Sequence, residues 1–398
     1  MLPEGWKRVR LGDIAQISSG GTPDRSQARY WGGDIAWVTT GEIQFNTITD
    51  TAEKITPEGL KNSSAKLYPA GTLLMAMYGQ GRTRGQVAKL GIDAATNQAC
   101  AALCISGDGE LEYVYQCLAS LYEAIRELGN AGAQQNLNAA LVKDIEVPWP
   151  PKEERTRIAI VASAWDSAIA TSGKLLVNAQ RIRQTTSQAL LSGRQRLTAS
   201  HVAWPQVRLA KLLAESRLPG TSGKVARKLT VKLYGKGVVA NETRRQGSAA
   251  TAYYRRRAGQ FIYSKLDFLN GAFGVVPEHL DGFESTLDLP AFDFVNKDVD
   301  PRWFLYYVAR EDFYKDHLGL ANGGRKARRV NPADFLQISI DFPPLTEQRA
   351  IADAMDLVSE DVRNWEAMLE MLKTEKQALM ADLLAGRRRV RLPEEVSA

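Results

Sequence analysis

The sequence has few of the features that mark secreted, membrane or metal-binding proteins. It contains 3 cysteines and 3 histidines among 398 residues. The cysteines, Cys100, Cys104 and Cys117, form no CxxC pair and have no histidine nearby, so we interpret them as reduced core residues of a cytosolic protein. No apolar run approaches about 18 residues, and the N-terminal MLPEGWKRVRLGD lacks the apolar core of a signal peptide. We therefore expect a cytoplasmic protein that does not enter a membrane.

The motifs of nucleotide-binding and DNA-modifying enzymes are also missing. There is no GxxxxGK[ST] loop for ATP, no GxGxxG on a strand-to-helix turn for S-adenosylmethionine, and no Asn/Asp-Pro-Pro-aromatic motif. The segment DFPP at 341–344 has the wrong order for that last motif. Asp288, Asp293 and Lys297 could be grouped as a nuclease-like set, but 45 acidic residues make such a coincidence expected. Three isolated histidines are interpreted as surface or core residues: His201, His279 and His317.

What the chain does contain is a long internal repeat. Residues 150–197 and 343–390 align without a gap at an offset of 193 residues. Pro-Pro opens both copies, a glutamate follows at Glu154 and Glu347, and a Leu-Leu-x-Gly-Arg segment closes them near Gly193 and Gly386. A repeat of this length predicts one structural unit that is used twice.

Each copy is predicted to be one long helix. The prolines and the acidic residues suit a helix start, and Gly193 and Gly386 are placed as glycines just beyond a helix end. A helix of roughly 45 residues spans about 65 to 70 Å, which indicates a coiled coil rather than a globular helix. In the second copy, apolar residues recur at spacings of three and four: Ile351, Met355, Val358, Val362, Trp365, Leu369, Leu372, Leu379 and Leu383.

Charge favours pairing of the two helices with each other. Residues 151–202 carry 8 basic and 3 acidic residues, whereas 343–398 carry 8 basic and 11 acidic residues. Complementary net charges of +5 and −3 suit an antiparallel coiled coil. The alternative is two amphipathic helices that pack separately on two domains.

The remaining segments are predicted to be two similar domains of mixed, β-rich structure, which makes the chain α+β. The domains are residues 1–149 and 203–342, and the long helices occupy 150–202 and 343–398. In the first domain a helix is expected over 112–128, and its second-domain counterpart over 301–317. Tail residues 391–395 echo residues 2–4, so we expect the end of the second helix to return beside the start of the first domain, in a pseudo-twofold arrangement. Short strand-like runs of the first domain are Asp34–Thr39, Ile43–Ile48, Gly71–Tyr78, Gly85–Leu90 and Gln98–Ile105.

The chain resembles the specificity subunit of type I restriction-modification systems, in which two target-recognition domains alternate with two helical conserved regions. The resemblance rests on the paired signatures of the repeat, on WGGDIAWVTTGEI at 31–43, and on MYGQGRTRG at 77–85 with ATNQAC at 95–100. It implies a DNA-binding protein that names the sequence to be methylated or cut. It further implies docking of two methyltransferase subunits, with S-adenosylmethionine, and of restriction subunits, with ATP and Mg. No cofactor or metal is expected in this chain itself.

Basic residues single out DNA-contact candidates in the second domain. It carries 22 basic and 15 acidic residues, against 13 and 16 in the first domain, so it attracts phosphate more strongly. The glycine-flanked loop around 322–329 lets backbone and arginine approach DNA. The alternative for any one residue is a solvated basic face. The candidates are Lys236, Arg244, Arg245, Lys265, Asn270, Gly324, Arg325, Lys326 and Arg328.

Two loops supply the candidates of the first domain. Arginine can read guanine and glutamine can read adenine by paired hydrogen bonds. A phosphate-cradling loop is disfavoured because the GK[ST] ending is absent, and an ordinary polar turn is the alternative for the loop at 132–138. That loop occupies the place of the arginine-rich loop in the second domain, so the two are predicted to act on different half-sites. The candidates are Gly79, Gln80, Arg82, Thr83, Arg84, Gln134, Gln135 and Asn136.

These features predict a molecular ruler. Each domain would read one half of a bipartite, asymmetric DNA site, and the helical pair would set the distance between the halves. The alternative function is a coiled-coil scaffold or adaptor without direct DNA reading.

Overall fold

The computed structural model describes residues 2–79, 82–105, 110–128, 136–198, 202–242, 248, 250–320 and 328–390. The chain forms two compact units. The first unit comprises Met1–Gly173 with Ala367–Ala398, and the second comprises Lys174–Glu366. Within the described ranges, no helix has the length and hydropathy of a membrane span.

The first unit contains the first head, the β-rich part of the chain that precedes the first long helix. Its helices are α1 (Leu11–Ile14), α2 (Pro57–Lys61), α3 (Glu110–Ser120), α4 (Tyr122–Leu128) and α5 (Ala139–Asp144). Its strands are β1 (Lys7–Arg10), β2 (Ala15–Ser19), β3 (Trp31–Val38), β4 (Thr47–Ile48), β5 (Glu53–Ile55), β6 (Leu67–Tyr68), β7 (Leu73–Ala76), β8 (Val87–Leu90), β9 (Ala94–Thr96), β10 (Cys100–Ile105) and β11 (Glu146–Trp149).

Among the described residues, the strands of the first head pair in the orders β1-β11, β2-β10-β7-β8-β4 and β5-β3-β9-β6. Most pairs are antiparallel, but β3 pairs with β9, and β4 with β8, in parallel. All four residues of β7 are buried, as expected for a central strand covered on both faces. The predicted strand over Ile43–Ile48 is present only at Thr47–Ile48, because Phe45 has a left-handed backbone with a φ of +55°.

A long helix, α6 (Lys152–Leu191), leads from the first head to the second, and α10 (Leu345–Leu384) follows the second head. The second head has helices α7 (Pro301–Val308), α8 (Glu311–Asp316) and α9 (Pro332–Leu336). Its strands are β12 (Gln206–Arg208), β13 (Leu213–Ser216), β14 (Pro219–Ser222), β15 (Leu229–Val231), β16 (Val238–Ala240), β17 (Ala252–Arg255), β18 (Phe261–Tyr263), β19 (Phe273–Val275), β20 (Glu284–Ser285), β21 (Ala291–Phe294) and β22 (Ser339–Asp341).

The sheets of the second head repeat part of the plan of the first. β12 pairs antiparallel with β22, as β1 pairs with β11, and the other sheets have the orders β13-β21-β18-β19, β14-β17-β20 and β15-β16. An aromatic cluster fills the core around Phe261, which contacts the rings of Phe273, Phe304 and Phe335. Aromatic side chains bury large areas and prefer these stacked and edge-on contacts.

The expected single helices over 112–128 and 301–317 are each divided. In the first head, α3 ends at Ser120 and α4 begins at Tyr122. In the second head the break falls at Arg310, whose backbone is extended (φ −62°, ψ 137°) and precedes the acidic first turn of α8. Carboxylates stabilise a helix start, so the sequence supports a second start within the predicted helix.

The two long helices each have 40 residues, and the second begins 193 residues after the first, at the repeat offset. They are shorter than predicted and span about 60 Å each. Gly193 and Gly386 both have a φ of +70° and follow the helix ends, which confirms their predicted role. Each helix begins in one unit and ends in the other.

Within the first unit, the start of α6 runs antiparallel to the end of α10. Asp166 accepts a hydrogen bond from Lys376 Nζ at 2.6 Å, and twelve residues earlier Glu154 accepts one from Arg389 Nε at 2.6 Å. Ile158 packs in one core cluster with Leu383. Within the second unit, Leu190 and Leu191 of α6 share a core cluster with Ile351, Ala352 and Met355 of α10.

A buried glutamate near the start of each long helix accepts hydrogen bonds from an arginine that follows the end of the other long helix. Glu154 is 2% exposed and accepts hydrogen bonds from Arg389 and from Trp6 Nε1 (3.0 Å). The end of α10 therefore lies beside the start of the first head, as predicted. At the repeat-equivalent position, Glu347 is 0% exposed and accepts hydrogen bonds from Arg196 and from Trp204 Nε1 (3.0 Å). We call these two clusters the glutamate locks.

Candidate nucleic-acid interface

The first head carries a loop between β7 and β8, residues 77–86, which we call its strand loop. Gly85 N–H donates to Ala76 O at 2.8 Å and closes the base of the loop. Gly79 and Gly85 have φ values of +127° and +84°, which glycine adopts without steric cost. A Cβ on Gly85 would lie 3.4 Å from Ile125 Cγ2, so this end of the loop packs against α4. Four predicted DNA-contacting residues lie here: Gly79, Arg82, Thr83 and Arg84.

The side chains of the strand loop differ in exposure. Arg82 is exposed and Thr83 is half-buried, whereas Arg84 is only 7% exposed. The backbone carbonyl of Arg82 accepts a hydrogen bond from the Tyr122 hydroxyl on α4. This bond fixes the backbone of Arg82 while its guanidinium stays in solvent. Of the two arginines, Arg82 is thus the one whose side chain is accessible to a ligand, whereas the Arg84 side chain packs inside the loop.

A second loop of the first head, which precedes α5 and which we call its helix loop, meets the strand loop. Leu137 N–H donates to Met77 O at 3.0 Å, where the strand loop begins. The Asn138 side chain accepts from Leu141 N–H at 2.9 Å and caps α5. Asn136, a predicted contact, is exposed beside this junction. The structure therefore brings Asn136 and the strand loop together.

The second head contains the same junction. Its strand loop is residues 264–272, between β18 and β19, and its helix loop precedes α9. Val330 N–H donates to Lys265 O at 3.1 Å, and Val330 lies 193 residues after Leu137, at the repeat offset. The predicted residues Lys265, half-buried, and Arg328, exposed, lie at this junction. Both heads thus use one backbone hydrogen bond to hold the same two loops together.

A third loop joins this site in the second head. The turn between β15 and β16 contains Lys236, which is exposed. Tyr234 N–H donates to Asn270 O at 2.9 Å, and Gly235 N–H donates to Gly271 O at 2.7 Å. These bonds place the turn of Lys236 directly beside Asn270, an exposed residue of the strand loop. Lys236, Asn270 and Lys265 therefore lie on adjoining loops, and two of these three side chains are cationic.

Eight predicted contacts lie outside the residues that the structure describes: Gln80, Gln134, Gln135, Arg244, Arg245, Gly324, Arg325 and Lys326.

Not every basic residue of the second head faces solvent. Arg256 is 0% exposed and donates to Ser216 O at 2.9 Å, to Ser285 Oγ at 2.7 Å and to Leu289 O at 3.0 Å. Burial lowers the pKa of Arg256 to about 10. Arg257 is paired with Asp293 at 3.0 Å. The run 255–257 therefore contributes less positive surface than its sequence suggests.

The described residues give no sign of a metal or thiol chemistry at this interface. Within the described ranges, no group of three or more His, Cys, Asp or Glu side chains is arranged to hold a metal ion. Burial raises the pKa of Cys100 and Cys117 to about 12, so these thiols stay protonated at neutral pH. The donors of the interface are guanidinium, ammonium and amide groups, which suit phosphates and base edges.

Sequence reasoning missed the aromatic residues beside the loops. Tyr122 lies in the predicted helix over 112–128, and nothing in its spacing shows that its hydroxyl reaches Arg82. Phe45 lies in a predicted strand, yet its ring packs edge-on against Tyr122 at 5.2 Å. For Tyr234, the glycine-rich segment Tyr-Gly-Lys-Gly at 234–237 was an available signal for an exposed turn.

Comparison with known proteins shows what the first part of the chain resembles in sequence and what the whole chain resembles in fold. A family model described as "Type I restriction modification DNA specificity domain" matches residues 3–179. The MjaIX specificity subunit of Methanocaldococcus jannaschii is 28% identical over 179 residues, which cover 44% of this chain and 40% of that protein. The EcoR124I/EcoR124II specificity subunit of Escherichia coli is 24% identical over 170 residues, 41% of each chain. The chain thus matches these curated relatives over about two fifths of their length.

The solved structures extend the likeness of fold to nearly the whole chain. The S subunit of the type I restriction-modification system from M. genitalium has a TM-score of 0.62, with 96% of each chain covered at 15% identity. A structure from work on complex assembly and conformational transition of the type I R-M system has a TM-score of 0.57, covering 98% of this chain and all of that one at 17% identity. Residues 3–179 are thus similar to a type I restriction modification DNA specificity domain, and nearly the whole chain has the fold of these S subunit structures.

Proposed function

We propose that the chain is the DNA sequence-specificity subunit of a type I restriction-modification complex. Each head binds one half of a bipartite, asymmetric DNA site, and the two heads read different sequences. The chain itself supplies recognition, and the chemistry belongs to partner subunits that bring S-adenosylmethionine, or ATP and Mg. This chain binds the DNA, orients it for the partner subunits and determines the distance between the two half-sites.

The observation that carries the proposal is the duplicated loop junction. The same backbone hydrogen bond, Leu137 to Met77 in the first head and Val330 to Lys265 in the second, joins two loops rich in candidate donors. The frame is the same, but the exposed side chains differ, with Arg82 and Asn136 in one head and Lys236 and Arg328 in the other. A shared frame with different exposed residues suits two half-sites of different sequence.

Charge supports different modes of binding in the two heads. The second head carries net +7 and attracts phosphates along its surface. The first head carries net −3, so its contacts are local and depend on Arg82 and its neighbours. Salt should therefore weaken the second head's contacts more than those of the first.

The long helices are proposed to bind the methyltransferase subunits, here called modification subunits, and to fix the length of the spacer between the two half-sites. Each helix has apolar residues that are exposed in the described part of the chain, such as Ile160 (63% exposed) in the first unit and Leu357 (69% exposed) in the second. Exposed apolar residues on a rigid helix suit a protein partner.

Selection from a randomised duplex library tests the proposal. The full chain, purified with its modification subunit, is used to capture DNA. We expect two short enriched blocks separated by an unspecified spacer. Arg82→Ala should lose one block and Arg328→Ala should weaken the other, since each arginine lies in a different head. Arg29→Ala, which removes an exposed arginine paired with Glu58 and distant in sequence from both loops, is the matched control.

Two results would overturn the proposal. One is the absence of any enriched motif with a soluble, assembled complex, which would favour the scaffold function. The other is loss of both blocks in either single variant with its fold intact, which would show that the heads do not read separate half-sites.

A further inference from the structure

Two non-glycine residues among the described residues have a left-handed backbone, and both are aromatic. Phe45 in the first head has a φ of +55° and Tyr234 in the second has a φ of +58°. Bulky side chains disfavour this conformation. Burial of the ring would offset that cost, but Phe45 is 36% exposed and Tyr234 is 65% exposed. Strained backbone conformations of this kind cluster at active sites and ligand-binding positions.

The turn of Tyr234 is held by its backbone rather than by its ring. Tyr234 and Gly235 both have positive φ values, +58° and +65°, and Lys236 N–H closes the turn at 3.3 Å. This geometry is a type I′ turn, whose first central position favours Asn, Asp or Gly. Hydrogen bonds to Asn270 O and Gly271 O dock the turn on the strand loop. A tyrosine here is therefore unfavourable for the turn, and its ring remains available to a ligand.

Phe45 is placed in the same way beside the strand loop of the first head. Its N–H donates to Val87 O at 2.9 Å, at the start of β8 where the loop ends. Its ring contacts Tyr122, and the Tyr122 hydroxyl donates to the Arg82 carbonyl. The exposed part of Phe45 is thus connected, through a single side chain, to the exposed arginine of the loop.

The two aromatics occupy matching surroundings. Each docks where its strand loop returns to the sheet, beside a glycine with positive φ: Gly85 (+84°) in the first head and Gly271 (+64°) in the second. A tyrosine of the following short helix borders each glycine. A Cβ on Gly85 would lie 3.6 Å from Tyr122, and one on Gly271 would lie 3.0 Å from Tyr314. The segments around Phe45 and Tyr234 share no sequence motif, so the match lies in the structure.

We propose that Phe45 and Tyr234 are aromatic DNA contacts, one for each half-site, whose rings pack on a base edge or on an unstacked base step. This inference rests on the proposed function. Apolar side chains read the thymine methyl group in the major groove and wedge between base steps in the minor groove. DNA is favoured as the ligand because each ring adjoins a loop with exposed donors, Arg82 in one head and Lys236 with Asn270 in the other.

Tyr234→Asn gives the sharpest test. Asparagine suits the type I′ turn, so the thermal unfolding midpoint should stay level or rise while DNA binding weakens. The full chain with its modification subunit is titrated with a duplex that carries the selected motif and with a scrambled duplex. We expect about 10-fold weaker binding of the motif, the range for loss of one aromatic contact. Tyr234→Phe keeps the ring and should bind within about 2-fold of the parent protein.

Matched variants separate the two heads. Tyr234→Asn should weaken recognition of one half-site, and Phe45→Asn should weaken recognition of the other. Binding to duplexes in which only one half-site is altered measures the two effects separately. Val225→Asn is the control, because Val225 is 72% exposed in the second head and should leave binding unchanged. If one Asn variant is insoluble, the variant in the other head still decides the matter.

The outcomes distinguish this inference from the proposed function. A parent complex that does not discriminate the motif from the scrambled duplex would contradict the function itself. A parent complex that discriminates, with both Asn variants binding equally well, would overturn the aromatic contacts alone. Tyr234 also borders a polar groove of about 480 Å³ with Arg183 and Glu311. Loss of modification-subunit binding with DNA binding intact would assign Tyr234 to a protein contact and overturn the inference.

Discussion

Two buried carboxylates, Glu154 and Glu347, lie at equivalent positions of the repeat and accept the same set of hydrogen bonds. Each accepts two hydrogen bonds from an arginine beyond the end of the other helix and one from a tryptophan indole. A buried carboxylate is tolerated only when its oxygens are satisfied in this way. For Glu347, burial would raise the pKa, but the hydrogen bonds from Arg196 and Trp204 outweigh it and leave the pKa below its usual value.

Removing the charge of one lock should destabilise its unit. Glu347→Gln leaves the arginine without its carboxylate and keeps the size of the side chain, so we expect a loss of about 2 kcal/mol in the free energy of unfolding. Chemical denaturation measures it. Glu366→Gln, an exposed glutamate of the same helix, should change stability by less than about 0.5 kcal/mol. Equal effects of the two substitutions would show that the lock contributes nothing beyond surface charge.

The same lock predicts a direction of pH dependence. Because the folded pKa of Glu347 lies below its ordinary value, the folded state binds fewer protons and the contribution is complete above the unfolded pKa of about 4.3. It is lost as the pH falls through the folded pKa. The stability difference between the parent protein and Glu347→Gln should therefore be constant from pH 5 to 7, roughly, and shrink below that range. A difference that grew on acidification would contradict the assignment.

At the scale of elements, the long helices were the most predictable part of the chain. Pro-Pro at the start, glycine after the end and apolar rows between them are local signals, and their repetition at one offset removed ambiguity. The division of the helix predicted over 301–317 was not predicted, although the acidic first turn of α8 was an available signal for a second helix start. The locks were also missed, since Arg196 and Arg389 are ordinary basic residues until the fold brings them to Glu347 and Glu154.

Two glycines of these helices should respond to alanine in opposite directions. Gly173 lies inside α6, and a Cβ there would meet nothing within 4 Å, so Gly173→Ala should stabilise the protein by about 1 kcal/mol. Gly386 follows α10 with a φ of +70°, and a Cβ there would lie 2.2 Å from Pro3 Cγ. Gly386→Ala should therefore destabilise the first unit by more than about 1 kcal/mol. Thermal unfolding of both variants checks this, and a destabilising Gly173→Ala would show that the helix needs a glycine there.

At the scale of the whole molecule, duplication organises the chain. The sequence predicted two β-rich heads and two long helices in alternation, and the structure has β-rich segments and two 40-residue helices in that order along the chain. It could not predict which loops meet, because the pairs Leu137–Met77 and Val330–Lys265 are separated by about sixty residues and follow from the sheet topology. For the same reason, the spacing of Arg84 did not reveal that its side chain is buried.

The ruler proposal predicts how the helices affect the DNA site. Inserting about four residues, one helical turn, at matching points of α6 and α10 should lengthen the spacer of the recognised site. The half-sites should stay unchanged, because the loops that read them belong to the heads. Library selection with the extended chain measures both properties. An altered half-site with an unchanged spacer would reject the ruler.

The central claim is that this chain determines which bipartite DNA sequence the complex recognises. Mapping of methylated sites in genomic DNA tests it most directly, in cells that express the chain with its cognate modification subunit and in cells that express the modification subunit alone. We predict a new asymmetric motif of two blocks that depends on the chain and that loses one block with Arg82→Ala; Arg325→Ala, which changes a residue outside the described ranges, should affect the other block. Methylation that is the same with and without the chain, despite an assembled complex, would contradict the claim.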